Sequence, residues 1–208
     1  MAHLFRGPLS GNVLTSDADA VVYGHSNTWG VAERSHSLTV GDYDGDGQND
    51  LAVGAYRYGD GSAADDYRGA VAVVSGASLS GDLDLVLADA MLEGESARDT
   101  AGYTVESPGD LDGDAKDDLL VGAQGADRYG DGSGLAYLVY GPMSGIAALP
   151  DVAAAQFLGD AASWTAGAMF AGGQDLTGDG VVDLLVSAQE ADGDSARSGV
   201  VFLLAGTP

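Results

Sequence analysis

Short apolar segments alternate along the whole chain with clusters of glycine, aspartate and serine. Valine, leucine, tyrosine and phenylalanine dominate the apolar segments, which is typical of β-strands separated by turns. No stretch shows a convincing helical period of 3.6 residues, and 33 glycines argue against long helices. The pattern therefore predicts an all-β protein.

The predicted strands recur with a period of about 65 residues, four to a period. The first precedes an acidic loop (SHSLTV, GYTVES, GAMFAG) and the second follows it (DLAVGA, DLLVGA, DLLVSA). The fourth carries a recurring alanine-rich pattern (ADAVVYG, ADAMLEG, VAAAQFLG). The third ends at a glycine, which is Gly7, Gly76, Gly141 or Gly206. Four antiparallel strands per period form the blade of a β-propeller.

Each acidic loop has aspartates at alternate positions: GDYDGDGQND, GDLDGDAKDD and QDLTGDGVVD. Oxygen ligands so spaced, with a sharp turn near position 6, would wrap the chain around one hard cation, and Ca²⁺ takes six to eight oxygens. With the first aspartate as position 1, the predicted ligands are the side chains at 1, 3, 5 and 9 and the carbonyl at 7. They are Asp42, Asp44, Asp46, Gln48 (carbonyl) and Asp50; Asp110, Asp112, Asp114, Lys116 (carbonyl) and Asp118; and Asp175, Thr177, Asp179, Val181 (carbonyl) and Asp183.

An EF-hand begins in the same way but needs a bidentate glutamate at position 12 and helices on both sides. Position 12 is valine in all three loops, so the position-9 aspartate must anchor a shorter loop between two strands. Ala115 stands where the other loops have a turn glycine, which predicts a strained or differently shaped second loop. Thr177 removes one charge, so we expect the third site to be the weakest. Solvated turns without metal, and Mg²⁺ in place of Ca²⁺, are the alternatives.

The motif Asp-x-Asp-x-Asp-Gly-x-x-Asp-Leu-x-Val-Gly-Ala resembles the FG-GAP repeat of integrin α-subunit propellers and of bacterial or archaeal surface proteins. The resemblance covers nearly the whole chain and implies a propeller with Ca²⁺ between the first two strands of each blade. It implies the same fifteen ligands, about three Ca²⁺ ions per chain, and adhesion or ligand binding as the usual role. The chain departs from the family at the final proline (Tyr56, Gln124, Gln189) and at Phe-Gly, of which only Gly102 and Gly167 remain, with Arg34 in the first repeat.

The net charge is −24, from 32 acidic and 8 basic residues. Nucleic acids and anionic membranes attract Lys/Arg patches, so neither is an expected partner. No apolar run approaches the roughly 18 residues needed to span a bilayer. Only five acidic residues are glutamates, and this bias favours short carboxylates in turns and metal loops. Halophilic adaptation also fits this composition. The absence of cysteine excludes disulfides and thiolate metal sites.

The repeat divides one continuous propeller module into four parts. Residues 1–27 are predicted to hold the third and fourth strands of an incomplete blade; 28–95 and 96–159 form two full blades, and 160–208 a third blade without its fourth strand. Three blades are too few to enclose a channel. Two hypotheses follow: a homodimer in which the N-terminal strand of each copy completes the partner's last blade, or a part of a larger propeller.

The loops after the second strand are candidates for contacting a ligand, and a propeller often binds through such loops. Their large side chains are Arg57, Tyr58, Arg128 and Tyr129, although repeat duplication alone also explains them. Trp29 and Trp164 are expected in packing between blades. No nucleophile, zinc or nucleotide motif appears, so we expect no enzyme activity. We therefore expect an extracellular module that binds a protein or glycan. A structural scaffold without a ligand, and the accessory propeller of a secreted hydrolase, are the alternatives.

Overall fold

The computed structural model describes residues 1–25, 29–59, 66–193 and 195–206. Within these ranges the protein is all-β, as predicted, with fifteen strands in four sheets. The helical elements there are one four-residue α-helix, α1 (Leu149–Val152), and 3₁₀ turns at Thr15–Asp17, Gly76–Ser78 and Leu85–Leu87. No helix in the described ranges has the length and apolar character needed to cross a bilayer.

The strands follow the predicted repeat closely. They are β1 (Ala2–Leu4), β2 (Ala20–Tyr23), β3 (Leu38–Gly41), β4 (Asp50–Ala55), β5 (Ala70–Val74), β6 (Gly81–Asp84), β7 (Ala90–Glu93), β8 (Thr104–Gly109), β9 (Asp118–Ala123), β10 (Leu135–Val139), β11 (Gly145–Ala148), β12 (Ala155–Leu158), β13 (Ala166–Gln174), β14 (Asp183–Ala188) and β15 (Val200–Leu204). The three predicted second strands coincide with β4, β9 and β14.

Two blades have the predicted four antiparallel strands in the order first, second, third, fourth. They are β3-β4-β5-β7 and β8-β9-β10-β12. The third blade has β13-β14-β15, and β1 pairs with β2 at the N-terminal end. The sheets do not close into a ring. The predicted boundary between 27 and 28 lies outside the described residues, and the other boundaries remain predictions.

Two further strands, β6 and β11, were not predicted. Each lies on the connection from a third to a fourth strand and pairs in parallel with the fourth strand before it, β6 with β2 and β11 with β7. Their sequences, GDLD and GIAA, lack an apolar alternation that would indicate a strand. They cover edges that would otherwise have unpaired N–H and C=O groups, and so they link successive blades.

The core lies between neighbouring blades, because both faces of each second and third strand in the first two blades are buried. The largest apolar cluster joins Val71 and Leu92 of the first blade to Leu119, Leu135 and Tyr137 of the second. Glycines allow this close approach. A Cβ at Gly54 would overlap the carbonyl oxygen of Gly102, and one at Gly122 that of Gly167. The repeat glycines are therefore sites where one blade's backbone meets the next.

Candidate metal centres

The first aspartate of each acidic loop organises the turn through hydrogen bonds to backbone N–H groups. Oδ1 of Asp42 accepts from the N–H of Gly45, and Oδ2 from that of Gly47, both at 2.9 Å. Asp110 and Asp175 accept from the same two loop positions. Position 6 has a left-handed backbone in all three loops, including Ala115 with φ of 67°. The second loop thus keeps the shape of the others, and its alanine is strained, as expected.

The position-9 aspartate is buried in all three loops and joins the loop to the end of the third strand. One oxygen of Asp50 accepts from the N–H of Tyr43 at 2.9 Å, and the other from Gly76 at 2.9 Å. Asp118 and Asp183 do the same with Gly141 and Gly206. The sequence showed these recurring glycines but gave no reason for them. They approach the loop closely, since a Cβ at Gly76 would overlap the carbonyl oxygen of Asn49.

Two of the three loops bring carboxylates together. Oxygens of Asp42, Asp44 and Asp50 all lie within 4.8 Å of one another. Those of Asp110, Asp112 and Asp118 do the same. Each set combines positions 1, 3 and 9 of the predicted ligands, contributed by the end of one strand, the loop and the start of the next strand.

The position-5 aspartates were predicted as ligands but lie outside these two sets. In the first loop Asp46 accepts from the backbone N–H and the side-chain amide of Gln48. In the second, Asp114 accepts from Nζ of Lys116 at 2.7 Å. This ammonium group lowers the pKa of Asp114 through the hydrogen bond. Lys116 therefore competes with a cation for one carboxylate of the second loop.

The third loop repeats the fold without a third converging carboxylate. Asp175 and Asp183 hold the same backbone N–H groups as their counterparts, and Asp179 accepts from Val181. Thr177 occupies position 3, and its N–H donates to Asp183 at 2.8 Å. Among the described residues of this loop, no trio of acidic side chains converges as in the other two.

Burial gives the anchoring carboxylates unusual electrostatics. Burial raises the pKa of Asp118 to about 6 and also raises the pKa of Asp50. Hydrogen bonds from backbone N–H groups to both carboxylates act in the opposite direction and lower the pKa. At Asp183 the N–H of Gly206 has the larger effect, and the pKa is lowered. A divalent cation beside Asp50 or Asp118 would favour the ionised form and compensate for desolvation.

The first two loops fit a hard cation by their donor chemistry. Every converging atom is a carboxylate oxygen, which suits Ca²⁺ or Mg²⁺ and not a soft metal. Negative groups this close repel each other unless a cation lies between them. The two trios would supply three ligands each, and the third loop would supply fewer charges.

The first and second acidic loops are also in direct contact. The N–H of Asp42 donates to Oδ2 of Asp117 at 2.9 Å, and the N–H of Asp117 donates to the carbonyl of Asp42 at 2.9 Å. Asp117 lies between Lys116 and the anchoring Asp118, and it was not singled out in the sequence. This reciprocal pair fixes the backbone of one predicted ligand by a residue of the neighbouring loop.

Three of the four large side chains in the loops after the second strand are paired within the chain. Arg57 forms an ion pair with Glu33 at 3.4 Å, and Arg128 forms one with Glu95. Tyr58 donates to Glu93 at 2.7 Å, whereas Tyr129 is 63% exposed. Part of the first of these loops, 60–62, lies outside the described residues.

The two tryptophans differ in their packing. Trp29 packs against the cluster that joins the N-terminal strands to the first blade, with its ring edge-on to Tyr58. Trp164 packs instead against alanines of its own repeat, Ala188 and Ala191. The Trp29 ring therefore packs at a junction between sheets, whereas the Trp164 ring packs within its own repeat.

Comparison with known families agrees with the geometry. The model of the FG-GAP repeat matches residues 36–74 and 102–139. Each match runs from a first strand through an acidic loop to a third strand. No curated protein matches the chain.

Proposed function

The chain is an FG-GAP repeat protein, and from that premise we propose that it is a calcium-binding β-propeller module that binds other macromolecules outside the cell. FG-GAP repeats indicate a propeller-like recognition or adhesion module, and they are typical of extracellular or surface proteins. The family is generally non-enzymatic. The observation that carries the proposal is the convergence of three carboxylates within 4.8 Å in two successive repeats.

In this proposal the anchoring ligands of the first two sites are the buried Asp50 and Asp118. Asp42 and Asp44, or Asp110 and Asp112, complete each trio. Asp46 and Asp114, and the carbonyls of Gln48 and Lys116, are the remaining ligands, reached by small rotations of exposed side chains and by the loop backbone. The third site would use Asp175, Thr177, Asp179, Asp183 and the carbonyl of Val181, with one charge fewer.

An extracellular location would supply enough calcium to fill such sites. Loops of this kind in extracellular modules bind Ca²⁺ with a Kd of about 10⁻⁴–10⁻³ M. At ~1 mM Ca²⁺ each independent site would then add about 0.4–1.4 kcal/mol to the free energy of unfolding. Calcium would also reduce the repulsion among the many carboxylates of a chain with a net charge of −24.

Thermal unfolding with calcium and with a chelator tests the metal sites. The informative variant replaces both exposed position-3 ligands, Asp44→Asn with Asp112→Asn. Asparagine keeps the oxygen that accepts from Asp46 or Asp114 but removes the charge. We expect calcium to raise the Tm of the original chain, and to raise that of the double variant by much less. Without calcium the variant should be at least as stable, because repulsion is smaller.

An equal Tm in calcium and chelator for the original chain would contradict the calcium proposal and favour solvated aspartate turns. A shift with Mg²⁺ equal to that with Ca²⁺ would contradict the choice of ion. A protein that binds calcium but captures no extracellular protein or glycan would be a structural scaffold.

We also propose that two copies associate, β15 of one pairing with β2 of the other in place of β1. One specific observation favours this: β5 and β10, the matching third strands, are fully buried, whereas Val201, Phe202 and Leu203 of β15 are 63%, 40% and 50% exposed. An exposed apolar edge strand is a template for pairing with another chain.

Light scattering in calcium tests this association. The expected mass is twice that of the chain, and Val201→Asp should give a folded monomer, since Val201 is the most exposed residue of β15. A monomer of the original chain at micromolar concentration would contradict the dimer and favour pairing with further parts of a larger propeller.

A further inference from the structure

Arg34 is held between two tyrosines from neighbouring blades. Its guanidinium carbon lies 4.6 Å from the ring centre of Tyr56 and 4.7 Å from that of Tyr103. One of its N–H groups donates to the hydroxyl of Tyr56 at 3.1 Å. Cation–π contacts on two sides fix the plane and position of this group. An exposed arginine is rarely so well ordered by its own chain.

The repeat breaks its own pattern at these residues. Arg34 stands where the second and third repeats have Gly102 and Gly167, and Tyr56 stands where they have Gln124 and Gln189. Glycine at that place allows close approach to the preceding blade, since a Cβ at Gly102 would overlap the carbonyl oxygen of Ala70. In the first repeat a long cationic side chain replaces this glycine. Such a departure within a repeat points to a function particular to the first repeat.

Arg34 also differs from several other cations of this acidic chain. Arg57, Arg128, Arg197 and Lys116 each have a carboxylate within ion-pair distance. In the described ranges no carboxylate forms an ion pair with Arg34; Glu33, next to it, pairs with Arg57 instead. With one N–H on Tyr56, the guanidinium retains N–H groups available to an anion.

Arg34 lines a cavity of about 360 Å³ where the three blades meet. Its polar walls also include Glu33, whose carboxylate pairs with Arg57, together with His36, Gln124 and Gln189, and Tyr103 and Met169 supply apolar surface. The cavity lies beyond the start of the first strands, at the opposite end of each blade from the metal loops. The amide N–H of Gln124 donates to the carbonyl of Ala168 at 3.3 Å, which fixes the amide and leaves its oxygen as an acceptor.

We propose that this cavity binds a hexuronate, a six-carbon sugar acid, as the terminal residue of an acidic glycan. The guanidinium of Arg34 would bind the carboxylate through paired N–H groups. The amides of Gln124 and Gln189 supply donors and acceptors for the sugar hydroxyls. The ring of Tyr103 and the side chain of Met169 suit the apolar face of a pyranose. The volume is enough for one sugar ring and too small for a folded protein loop.

This inference rests on the proposed recognition role and names its ligand class, but it uses none of the calcium ligands. The test is a titration of the calcium-saturated chain followed by NMR chemical shifts. The probes are glucuronate, glucose, which lacks the carboxylate, and glutarate, which lacks the ring. We expect glucuronate to shift resonances around the cavity, and both other probes to bind at least ~10-fold more weakly.

Arg34→Gln should weaken glucuronate binding by about 10- to 100-fold, because it removes charge-assisted hydrogen bonds. Arg34→Lys keeps the charge and should also bind weakly, since the paired N–H geometry is lost. The matched control is Arg128→Gln, which removes an arginine that pairs with Glu95 and does not line this cavity. It should bind as the original chain does.

Equal losses in the Arg34 and Arg128 variants would overturn the proposal, as would the absence of glucuronate binding. Glutarate binding as tightly as glucuronate would also overturn it and point to a carboxylate of a peptide. Calcium binding, measured on the same sample by calorimetry, separates the two proposals. A chain that binds calcium but not glucuronate contradicts this site alone.

Discussion

The backbone N–H of Gly76 donates to Oδ1 of Asp50 at 2.9 Å. This hydrogen bond joins the end of a third strand to the buried position-9 aspartate of an acidic loop. The other oxygen of Asp50 accepts from Tyr43 within the loop. One carboxylate thus connects the loop, the second strand and the third strand. Because the same arrangement recurs in all three blades, the loops are part of the sheet structure and not surface appendages.

The first prediction concerns this close approach. Gly76→Ala should lower the free energy of unfolding by about 1–3 kcal/mol, because the new methyl group would overlap the backbone of Asn49. The control is Gly7→Ala, at the matching end of β1, where no atom lies within 4 Å of a new Cβ. That change should alter stability by less than ~0.5 kcal/mol. Urea unfolding in calcium measures both, and equal effects would contradict the role assigned to Gly76.

The second prediction concerns the strained turn of the second loop. Ala115 has φ of 67°, a conformation that costs a non-glycine residue about 1–2 kcal/mol. Ala115→Gly should raise the free energy of unfolding by up to about 1 kcal/mol, since the greater freedom of unfolded glycine offsets part of the gain. Gly47→Ala in the first loop is the reverse change and should destabilise by a similar amount. Chemical denaturation of both variants checks the pair; a destabilised Ala115→Gly would disprove the assigned strain.

The third prediction concerns competition within the second loop. Lys116→Gln removes the ammonium group that lies 2.7 Å from Asp114. If the loops bind calcium as proposed, the affinity of the second site should rise by about 2- to 5-fold, the range expected for loss of an exposed ion pair. Gln48→Lys should lower the affinity of the first site to a similar extent. Isothermal titration calorimetry measures both, and an unchanged affinity in each would exclude the competition.

The fourth prediction concerns coupling between the first two loops. Asp117→Ala removes the acceptor of the Asp42 N–H without removing a proposed ligand. We expect the calcium affinity of the first site to fall by about 5- to 10-fold, because the N–H of Asp42 loses its carboxylate acceptor. The control is Asn49→Ala, at the same position of the first loop, which should leave the second site unchanged. The first site is measured by calorimetry in a chain whose second site is weakened by Asp112→Asn. A first-site affinity that Asp117→Ala does not change would refute the coupling.

The fifth prediction concerns pH. Asp99 is buried between the first two blades, and this burial raises its pKa to about 6 although the N–H of Ser96 donates to it. The folded state therefore takes up a proton at higher pH than the unfolded state, and Asp99 destabilises the fold above pH ~6. Its contribution becomes more favourable as the pH falls from about 6 to 4.

Asp99→Asn should accordingly stabilise the chain by about 1–3 kcal/mol at pH 7.5 and have little effect at pH 4. Asparagine retains an oxygen for the N–H of Ser96. Urea unfolding of the original chain and the variant at both pH values gives the difference in their free energies of unfolding. The titration of other groups cancels in this difference. Asp131→Asn, at an exposed aspartate, controls for the loss of one negative charge from the chain. A constant difference between the pH values would contradict the raised pKa.

Much of the fold was predictable because its determinants are local. Apolar runs between turn residues defined the second strands, and the spacing of aspartates and glycines defined the turns that Asp42, Asp110 and Asp175 organise. Such hydrogen bonds join residues only three to five positions apart. The strands β6 and β11 were missed because their pairing depends on the preceding blade and leaves no pattern in their own residues.

The sequence by itself determined the repeat, the strand order within a blade and the three acidic loops, since each depends on residues close together in the chain. The tertiary structure decided which carboxylates converge, and why the third strands end in glycine. It also placed Asp117 against Asp42 and Arg34 between tyrosines of two blades. These contacts join residues up to 75 positions apart. Only the packing of one sheet on the next brings them together.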